Sequence, residues 1–272
     1  MPGDSLLALE SSHRLECLWH WAPMTEADRE RAIRLKLAGM PERHRGAAIS
    51  TGFAALDASL GEGGIPSGTI VELFGPPSCG KTTLVLQMVA HLQNQNGSAA
   101  WIDAEHAFDA ARAASLGVVL NRLPVIQPGP AEEALEIARR LAASHGVDLL
   151  VVDSAAALVP SLEMETGIGE GGAGLHGRIL ASGLRRLALA TARTGAVVVF
   201  LNQTRSRPDP SGGESETTAG GAPLKLYAAV RIGMEEGPGG RVRFRILKNK
   251  FAAAFRETEL EWQGARGFVE SP

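Results

Sequence analysis

Cysteine is almost missing from this chain, with Cys17 and Cys79 alone among 272 residues. Two thiols make no disulfide framework, so an oxidising compartment is not indicated. No apolar run approaches the roughly 20 residues that span a bilayer. The N-terminal Met1-Pro-Gly-Asp-Ser lacks the basic flank and apolar block of a signal peptide, so a cytoplasmic location without a membrane partner is expected. A basic excess is missing too, since 27 Lys and Arg stand against 30 Asp and Glu for a net charge of −3. The molecule as a whole is therefore no electrostatic glove for nucleic acid, and any DNA contact must be local. No internal repeat stands out. The hydrophobic content of 44% can bury the core of one large domain, with or without a small appendage.

The most informative stretch present is Gly75-Pro-Pro-Ser-Cys-Gly-Lys-Thr-Thr83, which fits the phosphate-binding pattern G-x-x-x-x-G-K-[ST] at every fixed position. Its flanks supply the context the pattern needs: a strand-like Ile70-Val-Glu-Leu-Phe74 before it and a helix-like Leu84 to Leu92 after it. Gly75 and Gly80 allow a concave nest of N–H groups, with the positive end of a helix behind them, to face phosphate oxygens. Pro76, Pro77, Ser78, Cys79 and Thr83 complete the loop. Lys81 would reach the β/γ-phosphates of a nucleoside triphosphate and Thr82 would hold Mg²⁺ through its hydroxyl. Cys79 occupies a free position of the pattern and reads as a small loop residue, not a nucleophile.

Downstream, short apolar runs at Ala99 to Asp103, Asp148 to Asp153 and Ala196 to Asn202 alternate with helical segments at Glu132 to Ser144 and Gly177 to Arg193. That is the βαβ rhythm of a buried parallel sheet. The last part changes character. Ala228 to Met234 and Arg241 to Leu247 read as strands around a tight turn at Gly237-Pro-Gly-Gly240, and Glu257 to Trp262 alternates with period two, which predicts an antiparallel edge. The fold class expected is α/β: a P-loop ATPase core, with a mainly parallel central sheet flanked by helices and antiparallel edge strands. Residues 1–46 form a separate charge-rich arm with helix-like stretches at Leu6 to Trp21 and Thr25 to Leu37, ahead of a core at 47–272. Trp19 and Trp21 in that arm either pack on the chain's own core or dock another molecule.

Further chemistry falls at the predicted strand ends, where ligands bind in open α/β sheets. Asp153 leaves a fully apolar run and can hold a Mg²⁺-bound water. Glu105, just past the strand ending at Asp103, could orient or deprotonate the water attacking a γ-phosphate. Gln203 could sense the γ-phosphate, or merely cap its strand. It is followed by Thr204 to Gly221, a long polar, Gly-rich stretch that reads as an irregular loop, either functional or disordered.

Taken together, these motifs resemble the RecA recombinase family from about Ile49 to Phe268. The resemblance is carried by the phosphate loop and by Ile102-Asp-Ala-Glu-His106, Val151-Val-Asp-Ser154, Leu201-Asn-Gln203, Thr217-Thr-Ala-Gly-Gly221 and Leu247-Lys-Asn-Lys250. It implies that Glu105 is the catalytic glutamate, that Gln203 is the nucleotide sensor, and that the cofactors are ATP and Mg²⁺, the metal held by Thr82 and Asp153. It further implies two DNA loops. Thr166 to Gly174 contributes Gly167, Gly169, Gly172 and Gly174; Thr204 to Gly221 contributes Arg205, Arg207, Gly220 and Gly221. Arg178 and Arg185 match basic positions on the following helix, though a seam of arginines is also an ordinary solvated face. Lys248 and Lys250 match lysines that reach a neighbouring subunit's ATP; alone they would read as edge-strand guards.

The sequence departs from the family pattern in several places. Arg112, with Asp109 beside it at the nucleotide base, stands where bacterial members usually carry an adenine-stacking Tyr. Leu226 stands where an interface Phe is usual, the arm does not visibly match the usual polymerisation segment, and the usual C-terminal domain is not seen after Phe268. The resemblance implies a DNA-dependent ATPase that binds single-stranded DNA as a homo-oligomer or filament in homologous recombination, DNA repair and the SOS response to DNA damage. The alternative is a RecA-derived accessory module that docks a DNA-repair or translesion-synthesis protein through its arm.

Overall fold

The computed structural model describes residues 48–61, 63–166, 174–208 and 214–270, with only the backbone of 206–208 and 214–216. In chain order the elements are α1 (Ala54–Leu60), β1 (Ile70–Gly75), α2 (Lys81–Asn94), β2 (Ala99–Asp103), α3 (Ala110–Ser115), β3 (Val125–Ile126), α4 (Ala131–Ala143), β4 (Leu149–Asp153) and α5 (Ser161–Glu165). They continue with α6 (Leu175–Thr194), β5 (Val197–Pro208), β6 (Glu214–Thr218), α7 (Ala222–Tyr227), β7 (Val230–Glu236), β8 (Arg241–Asn249), β9 (Glu257–Trp262) and β10 (Phe268–Val269). The strands form one sheet in the order β10-β9-β8-β7-β1-β5-β4-β2-β3, with β6 added to β5. Pairing is parallel from β7 through β3 and antiparallel along β7, β8, β9 and β10, as the alternation of the sequence predicts.

The central strands read as unbroken apolar runs because they are covered on both sides. Successive side chains point to opposite faces. Leu149, Val151, Val197, Val199 and Leu201 therefore join the core beneath α2, while Leu150, Val152, Val198 and Phe200 join the core beneath α4 and α6. Helix α6 seals the second core with Leu180, Leu184 and Leu187. Each such side chain withdrawn from water stabilises the fold by roughly 1.5–3 kcal/mol.

One buried residue breaks the apolar rule. Glu72 on β1 is fully buried, accepts from Arg231 Nε on neighbouring β7 at 2.5 Å, and accepts from Asn202 Nδ2 on β5 at 2.9 Å. Asn202 Nδ2 also donates to Ala219 O at 3.0 Å, so the network ties the sheet centre to the end of β6. A buried carboxylate is tolerable only when paired and hydrogen-bonded in this way.

Two readings of local structure change. The stretch after Gln203 is not irregular at its ends: β5 runs on to Pro208 and pairs antiparallel with β6, Thr204 opposite Thr218 and Arg205 opposite Thr217. The polar sequence hid this because a hairpin that projects from the sheet needs no apolar face toward the core. The strand expected from Ala228 begins at Val230, because the Ala228 N–H closes α7 by donating to Leu224 O. The expected arm at residues 1–46, with Trp19 and Trp21, lies outside the described residues, as do Gly167, Gly169 and Gly172.

Candidate functional site

Four strands in the middle of the sheet deliver the candidate residues to one edge. In register, Gly75 at the end of β1 lies beside Gln203 on β5, and Asp103 at the end of β2 lies beside Asp153 at the end of β4. Glu105 follows β2 by two residues, and both Ala104 N–H and Glu105 N–H donate to Asp153 O, which staples that turn to β4. Phosphate loop, Asp153, Glu105 and Gln203 are thus brought together, as the motifs imply.

Within the loop, glycine is required at both ends. A Cβ on Gly75 would lie 2.5 Å from Met234 O, and Gly80 has φ +92° with its missing Cβ directed at Phe268. Phe268 and Trp262 stack edge-on at 5.1 Å, so the last hairpin of the chain buttresses the phosphate loop. No side chain caps α2 at Gly80, which leaves the first-turn N–H groups of a 14-residue helix directed into the loop. Lys81 Nζ donates to Gly75 O at 3.1 Å and Pro76 O at 2.6 Å. Cys79 is buried, and burial pushes its thiol up despite the neighbouring Lys81, which removes it from nucleophilic chemistry.

Thr82 Oγ1 donates to Asp153 Oδ2 at 3.1 Å. Burial, reinforced by the nearby Glu105 and Asp103 carboxylates, pushes Asp153 up to about 7. Glu105 accepts a 2.5 Å hydrogen bond from Ser154 Oγ, the residue after Asp153. Asp103 is buried and engaged elsewhere, accepting from Ala107 N, Phe108 N and Gln127 Nε2. The site therefore holds acids close together with too little local positive charge. Its hydroxyl–carboxylate pair fits a hard cation such as Mg²⁺. Among the described residues no cluster of three or more His, Cys, Asp or Glu is arranged to hold a metal.

The Gly75–Thr83 loop, the Thr82–Asp153 hydrogen bond and the strand-end Glu105 stand on a chain whose residues 30–269 match the family pattern described as RecA N-terminal domain. The chain belongs to the RecA family. Protein RecA of Thermus thermophilus is 44% identical over 243 residues, covering 86% of this chain and 71% of that protein. Protein RecA of Chloroflexus aggregans is 42% identical over 251 residues, covering 88% and 72% respectively. Protein RecA of Roseiflexus sp. is 46% identical over 222 residues.

Against the RecA pattern, the remaining expected residues are distributed as follows. Asp109 caps α3 by accepting from Arg112 N at 2.9 Å. Arg112 donates through its guanidinium to Ala265 O at 2.6 Å and Gly264 O at 3.2 Å, so it straps α3 to the turn before β10. Gly174 begins α6 at φ +81°, and Arg178 is exposed one turn on. Arg185 is exposed, with Nε 3.4 Å from the Tyr227 hydroxyl. Arg205 is exposed on the hairpin, whereas the Arg207 side chain lies outside the described atoms. Gly220, at φ +80°, lets Leu180 approach to 2.6 Å of where its Cβ would be, and Gly221 follows at φ +71°.

Lys248 and Lys250 are not brought to this edge. Lys248 pairs with Arg231, which lies beside Glu72, and Lys250 N–H donates to Ala229 O, so Lys248 is level with the middle of β1 and Lys250 with its opening end. Three residues of strand, about 10 Å, separate the level of Lys248 from Gly75, and Lys250 lies further away along the strand. Lys248 Nζ donates to Lys225 O and Leu226 O, and burial with nearby Lys250 and Arg231 holds its ammonium below the usual lysine range. Sequence reasoning missed Ser154 and the Glu72–Asn202–Arg231 network. Adjacency to Asp153 was the available signal for Ser154, and the polar interruption at Glu72 in an apolar strand was the signal for the network.

Proposed function

We propose that this chain is an ATP-dependent, DNA-binding ATPase of the RecA type, acting on single-stranded DNA in homologous recombination or repair, as an oligomer or filament. The observation that carries the reading is the convergence of Gly75–Thr83, the Thr82–Asp153 pair, the Ser154–Glu105 pair and Gln203 on one edge of the sheet in a RecA-family chain.

Lys81 would exchange its bonds to Gly75 O and Pro76 O for the β/γ-phosphate oxygens, which carry far more charge. Mg²⁺, held by Thr82 and Asp153, would supply neutralisation of phosphate charge. Glu105, oriented by Ser154, would position and deprotonate the attacking water. Gln203 lies between the phosphate loop and the hairpin: its N–H donates to Asn202 Oδ1 and its carbonyl accepts from Ala219 N. A change in its side-chain partner at the phosphate would reach β6 within two hydrogen bonds. Arg205 and Arg207 would meet DNA phosphates, a contact that positions the strand without reading its sequence.

Because Lys248 and Lys250 are not brought to the phosphate loop of their own chain, a role at a neighbour's nucleotide is proposed for them. Mixing Glu105→Gln protein with the Lys248→Ala, Lys250→Ala double variant, each inactive alone, should restore part of the ATP hydrolysis seen with single-stranded DNA. No recovery at concentrations where the parent assembles by electron microscopy would contradict shared sites. A parent whose hydrolysis ignores single-stranded DNA would contradict the DNA-dependent reading.

A further inference from the structure

The outer face of the α4–α6 layer carries a groove that the nucleotide site does not use. Two adjoining cavities of about 580 and 470 Å³ lie between the helices and share Glu136, Arg139 and Arg186. Local residue size explains it. A Cβ on Gly183 would lie 2.7 Å from Leu135 Cδ1, so the helices approach closely there, while Ala143 and Ala190 are too short to fill the space between the long side chains beside them.

The two rims follow the same helical spacing. Helix α4 presents Glu136, Arg139, Arg140 and Ala143, and α6 presents Arg186, Leu189, Ala190 and Arg193, each set at i, i+3, i+4 and i+7. Glu136 accepts from Arg139 through both Nε and Nη2 and from Arg140 Nε, and the Arg139 bonds above all hold its carboxyl down at about 2. Arg186 and Arg193 are exposed and pair with no carboxylate among the described residues. Four arginines thus line the groove beside two acids, Glu132 and Glu136, on a chain whose net charge is −3. Glu132 is itself committed, accepting from Ser161 N and Oγ. Between the charges stands Leu189, 54% exposed.

A cationic rim around an apolar floor suits a ligand that is both acidic and apolar. Unpaired nucleic acid is disfavoured, because no Phe, Tyr or Trp lines either cavity and His145 is the one ring there on which a base could stack. We propose that the α4–α6 groove docks an acidic amphipathic helix of another protein, its carboxylates meeting Arg139, Arg186 and Arg193 and its apolar stripe covering Leu189. The docked helix would present its own anchors at i, i+3, i+4 and i+7. The site is separate from the phosphate loop and needs no nucleotide.

The test uses a short fluorescein-labelled helical peptide with glutamates along one face and leucines at helical spacing on the other, titrated with the full chain by fluorescence anisotropy. Arg186→Glu with Arg193→Glu should weaken binding by about tenfold or more, since like charges then face each other across the contact. Leu189→Ala should weaken it about threefold or more through lost apolar area. A charge-matched control, Arg241→Glu with Arg266→Glu, should stay within about twofold of the parent, and ATP hydrolysis and melting temperature of the groove variants should match the parent's. No binding, or equal weakening by the control, would overturn the proposal. So would competition by an oligothymidylate lost in the groove variants, which would make the groove a nucleic-acid site. Dissociation of an oligomer by the groove reversal, seen by sedimentation, would make it an interface between copies and would equally overturn the proposal.

Discussion

Asp153→Asn should stabilise the nucleotide-free protein, and should do so more as the pH rises. Burial and the neighbouring Glu105 and Asp103 carboxylates move this carboxyl from 3.8 to about 7, while Thr82 and Lys81 pull only partly the other way. The unfolded chain therefore releases this proton near pH 4 and the folded chain near pH 7. Between those values folding takes up a proton, so stability falls as pH rises through the window and levels off above about 7. A shift of roughly three pKa units corresponds to about 4 kcal/mol above pH 7, of which about 1–3 kcal/mol should develop between pH 5 and 7.5 once relaxation is allowed for. Asparagine keeps a side-chain oxygen for the Thr82 hydroxyl but carries no charge, so the variant should lack this slope. For a folded unit of this size that is a melting-temperature gap that widens by about 2–10 °C from pH 5 to 7.5. Differential scanning calorimetry of both proteins without nucleotide or divalent cation reads it directly. Parallel melting-temperature curves across that range would refute the claim that Asp153 is an electrostatically strained carboxylate waiting for a cation.

Glu105→Gln keeps shape but is a poor base, so nucleotide binding should survive while steady-state ATP turnover falls about 100-fold or more; unchanged turnover would remove Glu105 from the chemistry. Ser154→Ala only frees the Glu105 carboxylate from its 2.5 Å bond, so it should cost less, about tenfold in turnover with binding intact. Arg205→Ala with Arg207→Ala should weaken single-stranded DNA binding evenly across sequences and flatten its salt dependence by about one to two logarithmic slope units, measured by anisotropy across a salt series. Arg231→Ala strands the buried Glu72 and should cost about 3–5 kcal/mol in denaturant unfolding, a loss that Glu72→Gln in the same chain should partly restore.

Most of the fold was legible because the strands that matter obey simple rules. Runs such as Leu149-Leu-Val-Val152 can only be covered on both faces, and the switch to alternation from Arg241 onward marks the antiparallel edge. Phosphate-loop spacing placed Gly75, Lys81 and Thr82, and strand ends placed Glu105, Asp153 and Gln203. What stayed hidden depends on long-range contact. The β5–β6 hairpin is held by backbone pairing between polar segments, which leaves no hydrophobic period to read. The Arg112 strap joins residues 152 positions apart, and Glu72 looks like an error in an apolar strand until Arg231 and Asn202 are seen around it. That Lys248 lies level with the middle of β1 and Lys250 with its opening end follows only from the β7 register, because sequence distance says nothing about which sheet edge a residue reaches.

The central claim is that one sheet edge binds a Mg²⁺–nucleoside triphosphate through Lys81, Thr82 and Asp153. Titration of a fluorescent ATP analogue, with and without Mg²⁺, into parent, Lys81→Ala and Asp153→Asn tests it most directly. Parent binding should strengthen with Mg²⁺, Lys81→Ala should lose tight binding whether or not the metal is present, and Asp153→Asn should keep weak binding but lose the Mg²⁺ dependence. Equal affinity of Lys81→Ala and parent, or full Mg²⁺ enhancement in Asp153→Asn, would contradict the account.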